Sequence, residues 1–211
     1  MFHVLSFDSE KVILASSFDN RIIVKKRTTE KEYRNIVLAR QHFLKHQPVF
    51  ISDKYGEISI ATAEIFGWNQ EANILSTLFC RGRNFEEIFR ESIGKSRNDL
   101  IDIIRDMFKT FRTIGFLWGD FAPRNMIWDE SQKTIRLVDF ERDLHLRDCP
   151  IAQYWFNRYI RNYSKEEFSC FLDKEEQSVL FNGFIEENCA DAVLTGQIAS
   201  KRKRALLESI F

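Results

Sequence analysis

The first 80 residues are dominated by short segments in which apolar and polar residues alternate, the pattern of strands with one buried face. Polar turns separate these segments, so we predict strands that pair in an antiparallel sheet. The five predicted strands are 3–7, 11–16, 21–26, 58–66 and 73–80. One helix interrupts them, because apolar residues recur at helical spacing after Glu30 and either Thr28 or Thr29 can cap it.

Beyond a polar break at residues 81–83 the pattern becomes mostly helical. Asn84 can cap a short helix over 85–89, and a strongly amphipathic helix opens at Asn98 and ends at Gly115. Three more helical stretches are predicted over 150–162, 165–188 and 190–210.

One hairpin interrupts this helical half. Residues 126–128 and 135–138 are short apolar runs around a polar turn, and they include β-branched and aromatic residues. The pattern therefore predicts an α+β fold in one domain, with a sheet-rich lobe over 1–80 and a mostly helical lobe over 81–211. We expect a cleft at the break between them.

Composition and charge restrict the function classes. The chain has 211 residues, 44% of them hydrophobic, which is enough for a sizeable core. Its formal net charge is zero, so nucleic acid is not an expected partner. The chain opens directly into a predicted strand and has no apolar run of about 18 residues, so we expect neither a signal peptide nor a membrane span. The four cysteines lack metal-ligand spacing, which favours free thiols and a cytoplasmic location.

The candidate chemistry lies within residues 116–141. Asp120 is followed five residues later by Asn125, and Asp139 comes directly after the second strand of the predicted hairpin. A single loop directs Asp120 and Asn125 into one cleft, and the hairpin returns Asp139 to their side. Asp120 can orient a hydroxyl and take its proton, while Asn125 and Asp139 offer the oxygen ligands that Mg²⁺ prefers. The spacing therefore predicts a phosphoryl-transfer site.

These residues resemble the catalytic loop and the metal motif of the protein-kinase-like fold. The resemblance is to the compact class that includes aminoglycoside and choline phosphotransferases and the small Rio-type atypical kinases. It covers about residues 11–145. It implies ATP and Mg²⁺ as cofactors, Asp120 as the catalytic aspartate, Asn125 as a metal ligand, and Asp139-Phe140-Glu141 as the metal motif.

The resemblance also implies a nucleotide site. Such folds have a lysine at the end of the third strand, which contacts the phosphates and pairs with a glutamate on the next helix. Lys25 and Lys26 are both candidates, and we favour Lys25 with Glu32 as its partner. The segment 78–85 resembles the hinge, where the backbone of Phe79 and Cys80 would bond the adenine edge.

Several residues depart from the family pattern. Trp118 stands where the family has a histidine, and we expect it to be buried and stacked near Phe140. Ala122 stands where the family has a lysine or histidine that contacts the γ-phosphate, and the sequence leaves open whether Arg124 replaces that contact. The turn 6–11 contains no glycine, so no glycine-rich loop covers the phosphates.

The leading hypothesis is an ATP- and Mg-dependent kinase that transfers the γ-phosphate to a hydroxyl. A protein Ser/Thr acceptor is slightly favoured, because the chain is too short for a large substrate-enclosing insertion. The alternatives are a small-molecule phosphotransferase, acting on a sugar, aminoglycoside or lipid headgroup, and a pseudokinase that binds without turnover. Interaction with a partner protein is left open.

Overall fold

The structure is a computed structural model that describes residues 2–7, 12–18, 21–146, 156 and 158–181. Its strands are β1 (Phe2–Phe7), β2 (Val12–Phe18), β3 (Arg21–Arg27), β4 (Val49–Ser52), β5 (Gly56–Thr62), β6 (Ile65–Asn69), β7 (Ile74–Leu78), β8 (Arg83–Asn84), β9 (Phe116–Trp118), β10 (Met126–Asp129), β11 (Thr134–Leu137) and β12 (Leu144–Leu146). Its helices are α1 (Glu30–His46), α2 (Phe85–Glu91), α3 (Lys95–Thr113) and α4 (Lys165–Phe168). A 3₁₀ turn spans Pro123–Asn125, Ile160–Ser164 is π-helical, and residues 174–181 are helical.

The first sheet has the strand order β1-β2-β3-β7-β6, and every neighbouring pair in it is antiparallel. The sequence predicts an antiparallel five-stranded sheet, which is confirmed, but not all of its members are right. The predicted strand 58–66 is two strands, of which only β6 joins this sheet. Seven strands therefore precede residue 80 in the described part of the chain. The break follows from burial: Thr62 and Ala63 are both buried, and two consecutive buried residues end the alternation of a strand.

The second sheet has the order β4-β5-β11-β10-β8. Its β10–β11 hairpin is the predicted one, with Met126 opposite Leu137. Strand β5 runs parallel to β11, so this sheet joins chain from both sides of residue 80. The division into lobes at residue 80 stays a prediction.

The helix caps follow local sequence. Thr29 accepts a hydrogen bond from the Glu32 N–H and starts α1 at Glu30, as predicted. Asn84 accepts from the Glu87 N–H and starts α2, also as predicted. Helix α3 begins at Lys95, three residues before the predicted Asn98, because Gly94 takes a positive φ of 56° and turns the chain there.

Helix α3 supplies much of the core. Its buried face consists of Leu100, Ile101, Ile103, Ile104, Met107, Phe108 and Phe111. These side chains pack with aromatic residues of the catalytic segment and of the C-terminal helical segments, including Phe116, Phe121, Phe168 and Phe181. The candidate site therefore lies against a close-packed layer of aromatic side chains.

The predicted helix 190–210 lies outside the described residues, as do 150–155 and 182–188. None of the helices in the part of the chain that the structure describes is both long and apolar enough to cross a membrane.

Candidate active site

The catalytic loop begins where the fully buried strand β9 ends. The Gly119 N–H donates to the Asp143 carbonyl at 2.7 Å, and a Cβ at Gly119 would lie only 2.8 Å from that same oxygen. Glycine is therefore required for the loop to lie this close to residue 143. The next residue, Asp120, is 5% exposed.

Asp120 and Asn125 meet as the loop spacing predicts. The 3₁₀ turn Pro123–Asn125 closes the loop, and the Asn125 Nδ2 group donates to Asp120 Oδ2 at 2.8 Å. Donation through Nδ2 leaves Oδ1 of Asn125 as the end of the amide that can bind a cation. The Val138 N–H donates to the Asn125 carbonyl at 3.0 Å, so the hairpin does return the chain to Asn125 just before Asp139.

Asp139 follows the hairpin in a left-handed conformation with φ of 67°. This conformation costs a non-glycine residue about 1–3 kcal/mol, and residues held in it cluster at functional sites. Its carboxylate lies 3.0 Å from Lys26 Nζ, which also lies 3.0 Å from Glu32 and 3.3 Å from Glu141. Oxygens of the three carboxylates lie within 4.8 Å of one another.

Burial and neighbouring charges affect the pKa values of Lys26 and Glu32 in different ways. Burial alone would lower the pKa of Lys26, but the negative charges of Glu32 and Asp139 outweigh it and raise that pKa. Lys26 therefore stays charged across the physiological range. Burial raises the pKa of Glu32 and the charge of Lys26 only partly offsets this, although Thr28 also donates to the Glu32 carboxylate.

The sequence analysis paired Lys25 with Glu32, and this choice was wrong. The lysine that pairs with Glu32 is Lys26. Lys26 stands opposite Leu75 in the β3–β7 register, and residues opposite each other project from the same face. Leu75 is 4% exposed and belongs to the core, so that face is directed inward and carries Lys26 toward α1. Lys25 is one residue away, and its side chain leaves the strand on the other face.

Helix α1 also holds the metal motif through a residue that sequence reasoning missed. The buried Asn35 donates from Nδ2 to the carbonyls of Phe140 and Arg142, each at 2.9 Å. Asn35 lies three residues after Glu32, so both project from one face of the helix toward the same segment. That spacing is the signal that could have found it.

Trp118 is buried, as predicted. Its ring stacks on Phe140 with centroids 5.2 Å apart and an interplanar angle of 26°. Its Nε1–H donates to the Asp139 carbonyl at 3.2 Å. The indole thus connects the strand before the catalytic loop to the backbone of the metal motif.

The other oxygen of Asp120 faces groups that the sequence analysis did not bring together. The Tyr163 hydroxyl donates to Asp120 Oδ1 at 2.8 Å, and the same oxygen lies 3.5 Å from Arg142 Nε and 3.6 Å from Arg124 Nη2. Burial raises the pKa of Asp120, and the tyrosine hydrogen bond and the two guanidiniums only partly counter it. Tyr163 lies 43 residues from Asp120, so no local spacing in the sequence predicts this contact.

The predicted hinge residues lie at the end of β7. The Phe79 N–H donates to the Ile22 carbonyl at 2.8 Å, so one backbone group that the resemblance assigns to adenine has a partner within the first sheet. Cys80 is partly buried, and burial raises the pKa of its thiol to about 11. Adenine binding at Phe79 and Cys80 stays a prediction.

Comparison with known proteins identifies the fold. The sequence matches no family model and no curated protein. Among solved structures, WaaP in complex with acyl carrier protein is similar with a TM-score of 0.55 at 14% identity, over 95% of this chain and 87% of that chain. The complex of Rv3197 with erythromycin, from Mycobacterium tuberculosis, has a TM-score of 0.49 at 10% identity, over 77% of this chain and 51% of that chain. The chain has a protein-kinase-like fold, as its motifs predict.

Proposed function

We propose that the protein is a kinase-type phosphotransferase that moves the γ-phosphoryl group of Mg–ATP to a hydroxyl. The observation that carries this proposal is that the two carboxylate oxygens of Asp120 have different partners. Its Oδ2 accepts from the amide of Asn125, and its Oδ1 accepts from a hydroxyl group. A carboxylate that joins a cation-binding amide to a hydroxyl is what phosphoryl transfer to an alcohol needs. We refer to Asn125, Asp139 and Glu141 as the metal side, and to Tyr163, Arg124 and Arg142 as the acceptor side.

The residues present fit Mg²⁺ and a nucleotide phosphate. The metal side offers the carboxylates of Asp139 and Glu141, whose oxygens lie within 4.8 Å of each other. Asn125 adds the oxygen of an amide that donates to Asp120 through Nδ2. Mg²⁺ prefers such oxygen ligands together with phosphate oxygens. Lys26 is the cation placed to contact the nucleotide phosphates. Mg–ATP, when bound, would supply the phosphoryl group and neutralise its charge.

The chain's own residues then do three things. Asp120 orients the acceptor hydroxyl and receives its proton, and its raised pKa makes it a better base than an ordinary aspartate. Glu32 holds Lys26 in a charged state and in one position. Trp118 and Asn35 fix the backbone of the metal motif against the loop and α1. These are positioning and electrostatic effects, which dominate phosphoryl transfer.

The proposal specifies the acceptor only as a hydroxyl compound. The slight sequence-based preference for protein Ser/Thr gains no support from contacts of the described residues, and a small-molecule acceptor is the second candidate. WaaP was solved with acyl carrier protein. An acyl carrier protein is therefore the first partner to test in a pull-down with this chain.

The decisive experiment is to incubate the protein with γ-labelled ATP, with and without Mg²⁺, first alone and then with a small-molecule extract or a protein lysate. We expect Mg-dependent release of ADP and transfer of label to one of these fractions. Asp139→Ala should abolish it. Asp143→Asn is the matched control, because that carboxylate is 68% exposed and pairs with Lys31 outside the cluster. Nucleotide binding without any turnover would instead identify a pseudokinase and defeat the proposal.

A further inference from the structure

Tyr163 makes with Asp120 the hydrogen bond that an acceptor hydroxyl has to make. Its phenol oxygen lies 2.8 Å from Asp120 Oδ1 and donates to it. That distance is within the range at which a general base takes a proton. The Tyr163 phenol contacts Oδ1 of Asp120, whereas Asn125 contacts Oδ2, so within the described part of the chain the phenol holds the oxygen that Asn125 leaves open.

The ring of Tyr163 is held in place by two neighbouring side chains. Its centroid lies 5.1 Å from that of Tyr159, and the Arg142 guanidinium lies 4.4 Å from the ring centre. The backbone beneath it is the π-helical segment Ile160–Ser164, a geometry that occurs mostly as single turns and often at functional sites. These contacts therefore orient the phenol toward the Asp120 carboxylate before any reaction. Orienting the nucleophile in advance removes a large part of the barrier to transfer.

The same place suits the product of transfer. A phosphotyrosine carries about two negative charges at neutral pH and forms strong hydrogen bonds with guanidinium groups. Arg142 and Arg124 both lie within 3.6 Å of the oxygen that receives the Tyr163 proton. Both guanidiniums are about half exposed, so they can turn from their present carboxylate partners to a new phosphate.

We propose that Tyr163 is a phosphate acceptor of this protein and that it is modified within its own chain, an inference that rests on the proposed function. A bond forms between the Tyr163 phenol oxygen and the γ-phosphorus of ATP. The bond between that phosphorus and the β–γ bridging oxygen breaks, and ADP leaves with the electron pair. The phenol proton passes to Asp120.

The modification has a consequence for other acceptors. Phosphotyrosine has no phenol proton to donate, and its charge repels the Asp120 carboxylate. The modified side chain therefore leaves Asp120 Oδ1 and pairs with the guanidiniums of the acceptor side. An external hydroxyl then gains the position that Tyr163 occupies in the unmodified protein.

The test is to incubate the full chain with Mg²⁺ and γ-labelled ATP and to locate the label by peptide mapping. We expect label on Tyr163, at a rate per chain that does not change with protein concentration. Tyr163→Phe should lower incorporation at least tenfold, whereas Tyr159→Phe, the neighbouring tyrosine whose hydroxyl bonds the Gly119 carbonyl, should retain label on Tyr163. An Asp120→Asn chain mixed with wild type should stay unlabelled.

Two activity outcomes would overturn the inference while leaving the proposed function intact. One is turnover of ATP with no label on Tyr163. The other is labelling of the Asp120→Asn chain by the wild type, which would show transfer between chains. Absence of all ATP turnover would remove the proposed function and this inference together.

A titration without nucleotide tests the contact between Tyr163 and Asp120 independently of ATP turnover. Burial, the hydrogen bond to Asp120 and the negative charges of Asp120 and Glu167 raise the pKa of Tyr163, so its phenol should ionise above the usual value of about 10. An ultraviolet titration of wild type minus Tyr163→Phe isolates this group, and Asp120→Asn should lower its pKa. An ordinary Tyr163 pKa that Asp120→Asn leaves unchanged would show that Asp120 does not hold the phenol, and the inference would fail whatever the activity.

Discussion

The metal side and the acceptor side of Asp120 are built in different ways. The metal side comes from one hairpin: Asn125 and Asp139 lie 14 residues apart, and the β10–β11 ladder brings them together. The acceptor side is assembled from a loop, the residue after the metal motif, and a helical segment far along the chain. The difference teaches that a short motif can carry the residues that the proposed function assigns to the phosphate donor, whereas those that it assigns to the acceptor come together only when distant segments pack.

The largest expected effect comes from removing the carboxylate that lies between the two sides. Asp120→Asn keeps the shape of the side chain but removes the proton acceptor, so phosphoryl transfer should fall by about 10²–10⁴-fold. Nucleotide affinity should change little, because the metal side is intact. Single-turnover rates and nucleotide titrations measure the two quantities separately. An equal loss of nucleotide binding would mean that Asp120 has a structural role only.

Lys26 tests the metal side by itself. Lys26→Ala leaves Glu32 buried without its cation, and breaking a buried pair in this way costs about 3–5 kcal/mol. It should also weaken nucleotide binding, whereas Lys25→Ala should not. The double variant Lys26→Met/Glu32→Leu should recover the melting temperature without recovering nucleotide affinity. Recovery of both would show that Lys26 serves stability alone.

Trp118 tests the aromatic packing that supports the metal side. The indole is fully buried, and truncating a buried tryptophan costs about 3–5 kcal/mol. Trp118→Ala should therefore lower both the free energy of unfolding and the turnover. Trp118→His, which introduces the residue that the kinase resemblance implies at this position, should keep most of the activity. Denaturant unfolding that is unchanged by the alanine substitution would contradict the packing described here.

Asn35 should give a smaller effect than either of these. Asn35→Ala removes two hydrogen bonds to the backbone of the metal motif, each worth about 0.5–1.5 kcal/mol, and should reduce turnover more than nucleotide affinity. Lys31→Met is the matched control on the same helix, because its exposed pair with Asp143 contributes only about 0–1 kcal/mol. Equal effects of the two substitutions would show that Asn35 does not position the motif.

The pH dependence should give the smallest effect and concerns the acceptor side. Asp120 must be ionised to accept a proton, so turnover should fall as the pH drops through its pKa, which burial raises above the usual value of about 3.9. The guanidinium of Arg142 favours the ionised form. Arg142→Gln should therefore move the acid limb of the pH–rate profile to higher pH. A shift to lower pH would contradict the contact between Arg142 and Asp120.

Much of the fold and of the metal side could be predicted because it depends on neighbours in sequence. Thr29 and Asn84 cap helices through bonds to N–H groups three residues later. The burial of Trp118 beside Phe140 could be predicted because a bulky apolar side chain before a tight loop has few other places to lie. The strand 58–66 could not be divided correctly, because its two parts differ in the sheet they join rather than in their local pattern.

What the sequence by itself determined is the set of groups that local geometry brings together: the loop of Asp120 and Asn125, the hairpin that returns Asp139, and the caps of α1 and α2. Tertiary structure decided which of two adjacent lysines faces the carboxylates, since a shift of one residue reverses the face of a strand. It also decided that Tyr163 reaches Asp120, across 43 residues, and that Asn35 holds Phe140, across 105. Contacts at such separations depend on the packing of whole elements. The spacing from Glu32 places Asn35 on the right face of α1 but does not identify its partner, and no spacing along the chain links Tyr163 to Asp120.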